Sequence, residues 1–425
     1  MIRKSYKLLS ALWSLKNREN RRKFVIAIRE YMDVIAEQPQ LFSTASNTLS
    51  NRLEETPYKK VEHQYLGAKH KILLVTHDFS RTGVPYAVLY LARALFSLYG
   101  IRPVVISPKD GLIREEFEQE GFPVIIDPLL FKYKEYSLDA CNFIASFEKV
   151  IVVSLASFGF IRYFRGIAKH LIWWIHETVA GFTAVTHITD DLPLLFAVCE
   201  SVWLGSPLCF PFVSKYSPPD KLHLLFYGCE DTALPHHPHP TGKIVFSIIG
   251  SVEPRKGQDI FLNAIKQLPN ELRCKAIFRI IGSPLPFDES VKFHKKVLAK
   301  TLLIAEVECI ENMPPNKLME FYAETNVLVS ASWDDPMPIV ITQGLMFSKV
   351  CLCSSVIGHA QLLEDRKDGL LFTNKCVEEL SAKMAWIIQN PNELTVMGAA
   401  GRKVYEKYFL INSFVNNVEK LIQNK

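Results

Sequence analysis

The chain has 425 residues, 48% of them hydrophobic, and a formal net charge of +5 at pH 7. This length and apolar content suffice for two full α/β domains. So small a net charge argues against a general nucleic-acid-binding protein. The nine cysteines form no Cys-x-x-Cys pair. We therefore expect buried, reduced thiols of a cytoplasmic protein rather than a zinc or redox centre.

Residues 1–65 differ in composition from the rest of the chain. No apolar stretch reaches the roughly 18 residues needed to span a bilayer, and no signal peptide is recognisable at the start. Residues 1–25 instead interleave leucines and Trp13 with basic residues at helical spacing, which predicts a helix with a basic face. It either lies on an anionic membrane surface, placing the protein peripherally at the inner face of the membrane, or packs its apolar side on protein. Residues 38–65 indicate a linker.

A first α/β domain is predicted over residues 66–235. Residues 71–77 form an apolar run that is typical of a buried parallel strand, and they are followed by a loop with a single glycine, Gly83, and then by a helix. One glycine is weak evidence for phosphate binding, because it also serves any turn that needs a positive φ. Its place at the carboxyl end of a strand favours a ligand contact, since ligands of open parallel sheets bind there.

The strand-like run at 171–175 leads directly into His176 and Glu177. A histidine at the end of an apolar strand is often only a hydrogen-bonded structural residue. Glu177 either orients this histidine or contacts an acceptor hydroxyl. Residues 232–243 have the composition of a linker, so we interpret the histidines in this segment as exposed loop residues rather than as metal ligands.

A second α/β domain is predicted over residues 236–405, with a final helix over 406–425. Its first strand, at 244–250, is followed by a turn containing Ser251, Arg255 and Lys256 and by a helix from Gln258. Backbone N–H groups, a helix dipole and fixed positive charge at one place favour a diphosphate. The strand near 278–281 ends at a second glycine, Gly282.

An acidic, proline-rich loop at residues 332–338 precedes another apolar helix. Pro338 suits the first helical position, with Ile339 behind it, and the helix N-terminus offers partial positive charge to an anion. Asp335 is expected at the mouth of this helix, and Gln343 about two turns inside on the same face.

The spacing of Asp335 and Gln343 resembles the acid-x7-acid signature of family 4 retaining glycosyltransferases, the glycogen-synthase-like group that uses nucleotide sugars. The segments around His176, Lys256 and Gly282 resemble the same family, so the likeness covers roughly residues 70–425. Three positions depart from its pattern: Asp335 stands where a glutamate is usual, Gln343 where a second carboxylate is usual, and Ser251 where an arginine is usual. An amide can still donate to and accept from a ribose diol.

The resemblance implies an α/β fold of the GT-B type, with two Rossmann-like, doubly wound domains facing a cleft behind a helical N-terminal extension. It implies that the final helix crosses back to the first domain. It further implies catalytic roles for His176, Asp335 and Lys256, and donor-binding roles for Gly83, Ser251, Arg255, Gly282, Pro338, Ile339 and Gln343. Neither a metal nor a cofactor is expected, because the family acts without a bound metal.

The implied activity is hexosyl transfer, with retention of configuration, from a nucleotide-diphosphate sugar to a glycan or lipid-linked acceptor in surface polysaccharide or glycoconjugate synthesis. The chain has no Gly-x-Ser-x-Gly elbow, which argues against a hydrolase. Two alternatives stay open. One is a nucleotide-sugar-binding protein without transfer activity. The other is a membrane-docked assembly subunit whose basic N-terminal helix matters more than its cleft.

Overall fold

A computed structural model gives the structure of the protein and describes Tyr58, Val61 and residues 72–131, 138–237, 239–286, 288–311, 313 and 315–423. Apart from Tyr58 and Val61, the predicted N-terminal extension lies outside these residues. Among the described residues, none of the helices combines the length and the apolar character needed to cross a membrane.

The first half of the chain builds a seven-stranded sheet in the order β3-β2-β1-β4-β5-β6-β7. The register pairs β1 with β2 on one side and with β4 on the other, both in parallel. Apolar runs with buried side chains form these strands, as expected of a sheet covered on both faces. The strands are β1 Ile72–Val75, β2 Val104–Ser107, β3 Val124–Ile126, β4 Lys149–Val153, β5 His170–Ile175, β6 Ser201–Leu204 and β7 Leu222–Leu224.

Helices follow most of these strands, which gives the βαβ connections that a parallel sheet requires. The longest of them, α1, buries Val88, Leu91 and Leu95 and ends at Gly100, whose left-handed backbone terminates the helix. The helices are α1 Gly83–Tyr99, α2 Arg114–Gln119, α3 Leu138–Ala145, α4 Phe158–Phe164, α5 Val179–Ile188, α6 Leu192–Ala197 and α7 Phe210–Val213.

The second half builds a six-stranded sheet in the order β10-β9-β8-β11-β12-β13. Its first strand, β8, pairs in parallel with β9 and with β11. Phe246 of β8 stacks on Phe278 of β9, and Phe261 packs edge-on against Phe278 within the apolar core. The strands are β8 Ile244–Ile249, β9 Ala276–Ile281, β10 Val307–Ile310, β11 Val327–Ser330, β12 Val350–Ser354 and β13 Leu370–Phe372.

The helices of this half cover the second sheet. The helix α8 coincides with the predicted span, and it buries Phe261, Leu262 and Ile265. The helices are α8 Gln258–Gln267, α9 Asn270–Arg273, α10 Asp288–Thr301, α11 Pro315–Glu324, α12 Ile339–Met346, α13 Val377–Gln389, α14 Glu393–Tyr408 and α15 Ile411–Gln423.

The two sheets have the same internal order. In each, the first strand has the second and third strands on one side and the later strands on the other, which is the doubly wound Rossmann arrangement. The prediction of two doubly wound α/β domains is confirmed. The chain divides into two compact units, one extending to Leu204 and including Pro211–His223, the other formed by Gly205–Phe210 and Leu224–Lys425. The predicted domain limits at 65, 235 and 405 stay predictions.

One predicted helix start differs from the structure by one residue. Pro338 has an extended backbone, with φ −63° and ψ 120°, and it immediately precedes α12 rather than occupying its first helical position. The expectation that Pro338 is the first helical residue was therefore wrong. The physical argument is little changed, because a proline at this point still donates no N–H group and leaves those of the first turn at the helix mouth.

Candidate functional site

The strand order of the second sheet marks one place as the natural ligand site. The direction of strand addition reverses between β8 and β11, and open parallel sheets bind ligands beyond the carboxyl ends of the strands at such a point. The segment that follows β8 carries Lys256, and the segment that follows β11 carries Asp335. Two of the residues predicted from the sequence therefore follow the two strands on either side of the reversal.

Lys256 and Asp335 are in direct contact. Lys256 Nζ donates to Asp335 Oδ2 at 2.5 Å, and both side chains are largely but not fully buried, with 18% and 10% of their surface exposed. The Lys256 side chain also passes close to Gly250, because a Cβ placed on that glycine would lie 3.9 Å from Lys256 Cε. The structure therefore brings the end of β8, the lysine and the carboxylate into one cluster.

Arg255 ties the two loops together instead of standing free. Its guanidinium donates to the backbone oxygen of Asp334 at 2.7 Å and to Glu253 Oε1 at 3.0 Å, and it lies 3.5 Å from Asp335 Oδ2. Glu253 Oε1 also accepts a hydrogen bond from Ser251 Oγ at 2.8 Å. The guanidinium thus holds the loop after β11 against the loop after β8 while adding positive charge beside Asp335.

The charges of this cluster reinforce one another. Burial alone would raise the pKa of Asp335, but Lys256 and Arg255 outweigh burial, and the pKa is lowered. Burial would lower the pKa of Arg255, but Asp335 and Glu253 outweigh it, and that pKa is raised. The Asp335 carboxylate is therefore ionised at neutral pH beside the Arg255 guanidinium and the Lys256 side chain, an arrangement that suits an anionic group with nearby hydroxyls.

Two glycines open the backbone beside Lys256. Gly250, after β8, has φ +141°, and Gly282, after β9, has φ +145°, a region that side chains rarely enter. A Cβ on Gly282 would lie 1.9 Å from the backbone oxygen of Gly250, so only a glycine fits there. This close approach explains why Gly282 stands at the predicted position. It leaves the backbone of the two loops unobstructed by a side chain.

The helix α12 places Gln343 beside a tyrosine that the sequence analysis did not single out. Tyr322, fully buried on α11, donates its hydroxyl to Gln343 Oε1 at 2.7 Å. With its carbonyl engaged, Gln343 offers its amide N–H groups to a ligand. Pro338 and Ile339 stand at the start of this helix, where no side chain caps the first turn. The signal for Tyr322 in the sequence was only its place on an amphipathic helix.

His359 is a second residue that the sequence analysis missed. It follows β12, is fully buried, and stacks on Phe409 at 5.1 Å between ring centroids. Its Nε2 is 2.8 Å from Thr342 Oγ1, which is in turn 2.7 Å from the Tyr227 hydroxyl. Burial lowers the pKa of His359 to about 3, although Asp335 opposes the shift, so the ring is neutral at ordinary pH. This network fixes the helix that carries Gln343.

In the first unit, His176 follows β5 as predicted. Its ring lies 4.4 Å from that of Trp174, and burial together with His77 lowers its pKa to about 3. The imidazole is therefore neutral, and its Nε2 is buried without a hydrogen-bond partner among the described residues. A neutral imidazole with an unpaired ring nitrogen is suited to hydrogen bonding with a hydroxyl-rich ligand rather than to pairing with an anion.

Glu177 has a structural role in the first unit, where it accepts hydrogen bonds from two turns. Its carboxylate accepts hydrogen bonds from Ser154 Oγ, from the backbone N–H of Leu155 at 2.8 Å and from that of His176 at 3.0 Å. Ser154 has φ +77°, an uncommon value for a non-glycine residue. Glu177 thus braces the turns after β4 and β5 and holds the backbone of His176. Its two predicted roles, orienting the His176 ring and contacting an acceptor hydroxyl, stay predictions.

Two further residues of the first unit follow β1. His77 ends the predicted apolar run, and its Nδ1 is buried with no hydrogen-bond partner in the described part of the chain. Gly83 is the first residue of α1, and its φ lies outside the left-handed region, so a turn with positive φ does not explain it. Thr82, which precedes it, makes no side-chain cap, so backbone N–H groups are left at the helix start.

The predicted residues are divided between the two units. In the second unit Lys256 and Arg255 contact Asp335, Ser251 is linked to Arg255 through Glu253, and Gly282 approaches Gly250. Gln343 lies on α12. Gly83 and His176 belong to the first unit, at the carboxyl ends of β1 and β5. Their roles in binding or chemistry stay predictions.

Comparison with known proteins is consistent with this arrangement. Residues 230–404, less than half of the chain, match the family model described as Glycosyl transferases group 1. An uncharacterized glycosyltransferase of Methanocaldococcus jannaschii, MJ1178, is 24% identical over 163 residues, which are 38% of this chain and 42% of that protein. The chain therefore matches under half the length of this curated relative.

Solved structures show the likeness over a larger part of the chain. The Anabaena protein HepE in complex with UDP and glucose superposes with a TM-score of 0.69 at 14% identity, covering 84% of this chain and 100% of that one. Sucrose-phosphate synthase from Thermosynechococcus elongatus gives 0.67 at 15% identity, covering 84% and 98%. The predicted GT-B fold is confirmed, and within it residues 230–404 are similar to the glycosyl transferases of group 1.

Proposed function

We propose that the protein is a glycosyltransferase that takes a hexosyl group from a nucleotide-diphosphate sugar. The observation that carries the proposal is the contact of Lys256 with Asp335 beside Gly250, at the strand reversal of the second sheet. One group suits a diphosphate and the other suits sugar hydroxyls. The group 1 family match over this part of the chain supports the proposal, as does HepE, whose structures contain UDP and UDP-glucose.

The proposed reaction breaks the bond between the anomeric carbon and the diphosphate oxygen and forms a bond from that carbon to an acceptor hydroxyl oxygen. The hydroxyl proton is released, and the electron pair of the broken bond remains on the nucleoside diphosphate. Lys256, Arg255 and the first turn of α12 would stabilise the negative charge that develops on this leaving group. Such preorganised charge is often the largest contribution to catalysis.

The remaining residues have supporting roles in this proposal. Asp335 would hold sugar hydroxyls, and Gln343 would donate its amide to the ribose while Tyr322 holds its carbonyl. Ser251, Gly282, Pro338 and Ile339 would line the donor through their backbones. For the first unit, the family resemblance implies that His176, which burial keeps neutral, contacts the sugar and that Gly83 at the start of α1 contributes to donor binding.

Finer features of the proposal come from the family resemblance. They are retention of anomeric configuration, independence from a metal, and a glycan or lipid-linked acceptor used in surface polysaccharide or glycoconjugate synthesis. Peripheral attachment through residues 1–25 belongs with them, and that segment lies outside the described residues. The second candidate, a nucleotide-sugar-binding protein without transfer activity, is favoured by the Ser251 and Gln343 departures.

The experiment that tests the proposal is a panel of nucleotide sugars with release of nucleoside diphosphate as the readout. A transferase releases the diphosphate from at least one donor, faster when an acceptor is added, and Lys256→Ala lowers the rate about a hundredfold or more. Lys403→Ala, an exposed lysine on α14, serves as the matched control. Saturable binding with no turnover of any donor would establish the binding protein instead.

Two additions to the same assay test the finer features. The configuration of the first product, followed by NMR, must match that of the donor if the enzyme retains configuration. Turnover must also survive a chelator if no metal takes part. Inversion in the product, or loss of turnover that added magnesium restores, would overturn the corresponding part of the proposal.

A further inference from the structure

The helix α10 and the turn behind it carry an apolar surface that faces away from the core. Val297, Thr301 and Ile304 are buried on the inner side. On the outer side Leu302 and Leu303 are 88% and 75% exposed. Backbone hydrogen bonds hold this turn, from Leu302 N to Leu298 O and from Leu303 N to Lys300 O, both at 3.3 Å. The two leucines are therefore displayed by an ordered part of the backbone.

Lysines surround this apolar surface. Lys292, Lys295 and Lys296 are exposed on the outer side of α10, about two to three turns before Leu302. The exposed side chains of Val291 and Leu298 lie among them. With Leu302 and Leu303, which directly follow the helix, these residues form a basic-apolar face. On a helical projection its members lie within about 80° on either side of one direction.

The acidic residues near this face either lie at its N-terminal end or are paired. Asp288 and Glu289 lie in the first turn of α10, where burial raises the pKa of Glu289 and Lys296 opposes the shift. Both residues are roughly 20 Å from Leu302 along the helix, at about 1.5 Å per residue. Glu306, after the exposed turn, pairs with Arg273 at 3.1 Å. The C-terminal end of the face is therefore apolar and cationic.

The positive charge of the basic-apolar face indicates which kind of partner it can bind. A second copy of the chain, joined through the same face, would bring lysines against lysines. Residues 1–25, which are basic and apolar, would also be repelled by it. An anionic partner avoids both conflicts. Exposed leucines with neighbouring lysines are the combination by which helices enter the head-group region of an anionic bilayer, the leucines in the acyl boundary and the lysines at the phosphates.

We propose that the C-terminal end of α10 docks the second unit on an anionic lipid surface, with Leu302 and Leu303 entering the interface and Lys295 and Lys296 contacting head groups. None of these residues belongs to the diphosphate cluster of Arg255, Lys256 and Asp335. The exposed end of α10 lies roughly 18 Å along the helix from Ser290, which donates to the backbone oxygen of Val252 at 2.6 Å beside that cluster. The proposed contact is also independent of residues 1–25, for which membrane binding was considered from the sequence.

The test uses the full chain and vesicles of equimolar phosphatidylglycerol and phosphatidylcholine, with pure phosphatidylcholine vesicles as the comparison. Cosedimentation measures the partition coefficient. Leu302→Glu is expected to lower it about tenfold or more on the anionic vesicles, and Lys295→Ala/Lys296→Ala by about fivefold per lysine. The matched controls are Val396→Glu, an apolar residue on α14 that is 67% exposed, and Lys403→Ala/Lys407→Ala on the same helix.

Hydrogen exchange locates the contact directly. Amides of residues 298–304 should exchange more slowly when the anionic vesicles are added, and pure phosphatidylcholine should change them little. Residues 1–25 could carry vesicle binding alone, and Leu302→Glu would then bind as the unaltered chain does, with unchanged exchange over 298–304. That result overturns the proposal, as does absence of binding to anionic vesicles.

The oligomeric state and a folding control complete the test of the lipid proposal. If the unaltered chain is a dimer in solution and Leu302→Glu makes it a monomer without changing vesicle partitioning, the face is an interface between copies and the lipid proposal is wrong. Binding of nucleoside diphosphate serves as a folding control, because Leu302 is remote from the diphosphate cluster. An unchanged affinity in Leu302→Glu shows that its partitioning reports the face and not a damaged fold, whether or not the protein proves to be a transferase.

Discussion

Lys256 Nζ donates to Asp335 Oδ2 at 2.5 Å, and this single contact joins the segments that follow the two strands at the reversal of the second sheet. The cation proposed for a diphosphate is therefore already paired with the carboxylate proposed for the sugar. In the proposed function a nucleotide sugar contacts both groups, whereas a nucleoside diphosphate without sugar would compete with Asp335 for Lys256. We therefore expect Lys256 to strengthen the binding of a nucleoside diphosphate and Asp335 to weaken it.

Removing Lys256 should accordingly lower the affinity for a nucleoside diphosphate, and removing Asp335 should raise it. Lys256→Ala is expected to raise the Kd about tenfold or more, because a charge-assisted hydrogen bond to phosphate is lost. Asp335→Ala frees Lys256 and removes a negative charge near the phosphates, so the Kd should fall severalfold while turnover of the nucleotide sugar is lost. Isothermal titration calorimetry with the diphosphate measures both values.

The double variant provides the control for that pair. Residues in direct contact are expected to be non-additive. Lys256→Ala/Asp335→Ala should lose the gain that comes from freeing Lys256, and it should bind only slightly better than Lys256→Ala alone. Equal loss of affinity in Asp335→Ala and Lys256→Ala would contradict the assignment. It would mean that the carboxylate supports the fold of the loop rather than competing for the cation.

Gln343→Glu should strengthen binding of the nucleotide through its ribose. Tyr322 would keep donating to one oxygen of the new carboxylate, and the other oxygen would accept from a ribose hydroxyl, a charge-assisted bond stronger than one made by an amide. We expect the Kd for a ribonucleoside diphosphate to fall about threefold to tenfold. Calorimetry with the same ligand measures it.

A dideoxy analogue of the nucleotide separates this gain from other effects. Without ribose hydroxyls it should bind Gln343→Glu no better than the unaltered protein, since nothing is left to donate to the carboxylate. A gain that persists with the analogue would place Gln343 elsewhere than at the ribose. Tyr322→Phe in the unaltered background should weaken ribose-dependent binding slightly, because the amide then loses its fixed orientation.

The sequence predicted the second sheet and the position of the Lys256 turn well because the local signals agree with the fold. The β8 strand, the α8 helix and the Lys256 turn are contiguous, so an apolar run, a glycine and a cation at fixed spacing suffice to place them. Contacts between distant segments had no such signal. The hydrogen bond from Tyr322 to Gln343 and the Thr342–His359 contact join different elements whose meeting depends on strand order. Only the folded chain reveals them.

His359 should make the stability of the protein depend on pH below neutrality. Its pKa is lowered to about 3 by burial, while the unfolded chain has the ordinary value of 6.5. Between these values the unfolded state binds more protons, so the stabilisation is complete above about pH 6.5 and is lost as pH falls toward about 3. From about pH 7 to about pH 5, this histidine should reduce the free energy of unfolding by about 2 kcal/mol.

His359→Gln removes this contribution while keeping a polar group near Thr342. Urea unfolding gives the free energy of unfolding at each of the two pH values. The difference between these two free energies should be about 2 kcal/mol smaller in His359→Gln than in the unaltered protein, whatever the absolute loss of stability. His187→Gln, on the exposed side of α5, is the matched control and should keep the original difference. An unaltered difference in His359→Gln would show that the buried ring does not lose its proton on folding.

Gly282→Ala should damage both the fold and the diphosphate site, because the two loops approach each other at this glycine. The new Cβ would lie 1.9 Å from the backbone oxygen of Gly250, and φ +145° is strained for alanine. We expect a loss of about 3 kcal/mol in the free energy of unfolding and a clear weakening of nucleoside diphosphate binding.

Gly242→Ala is the matched control for this change, since its φ of +69° is also positive but nothing lies within 4 Å of its added Cβ. That control should cost about 1 kcal/mol and leave ligand binding intact, because only backbone strain remains. Equal effects of the two changes would show that the contact with Gly250 does not shape the site.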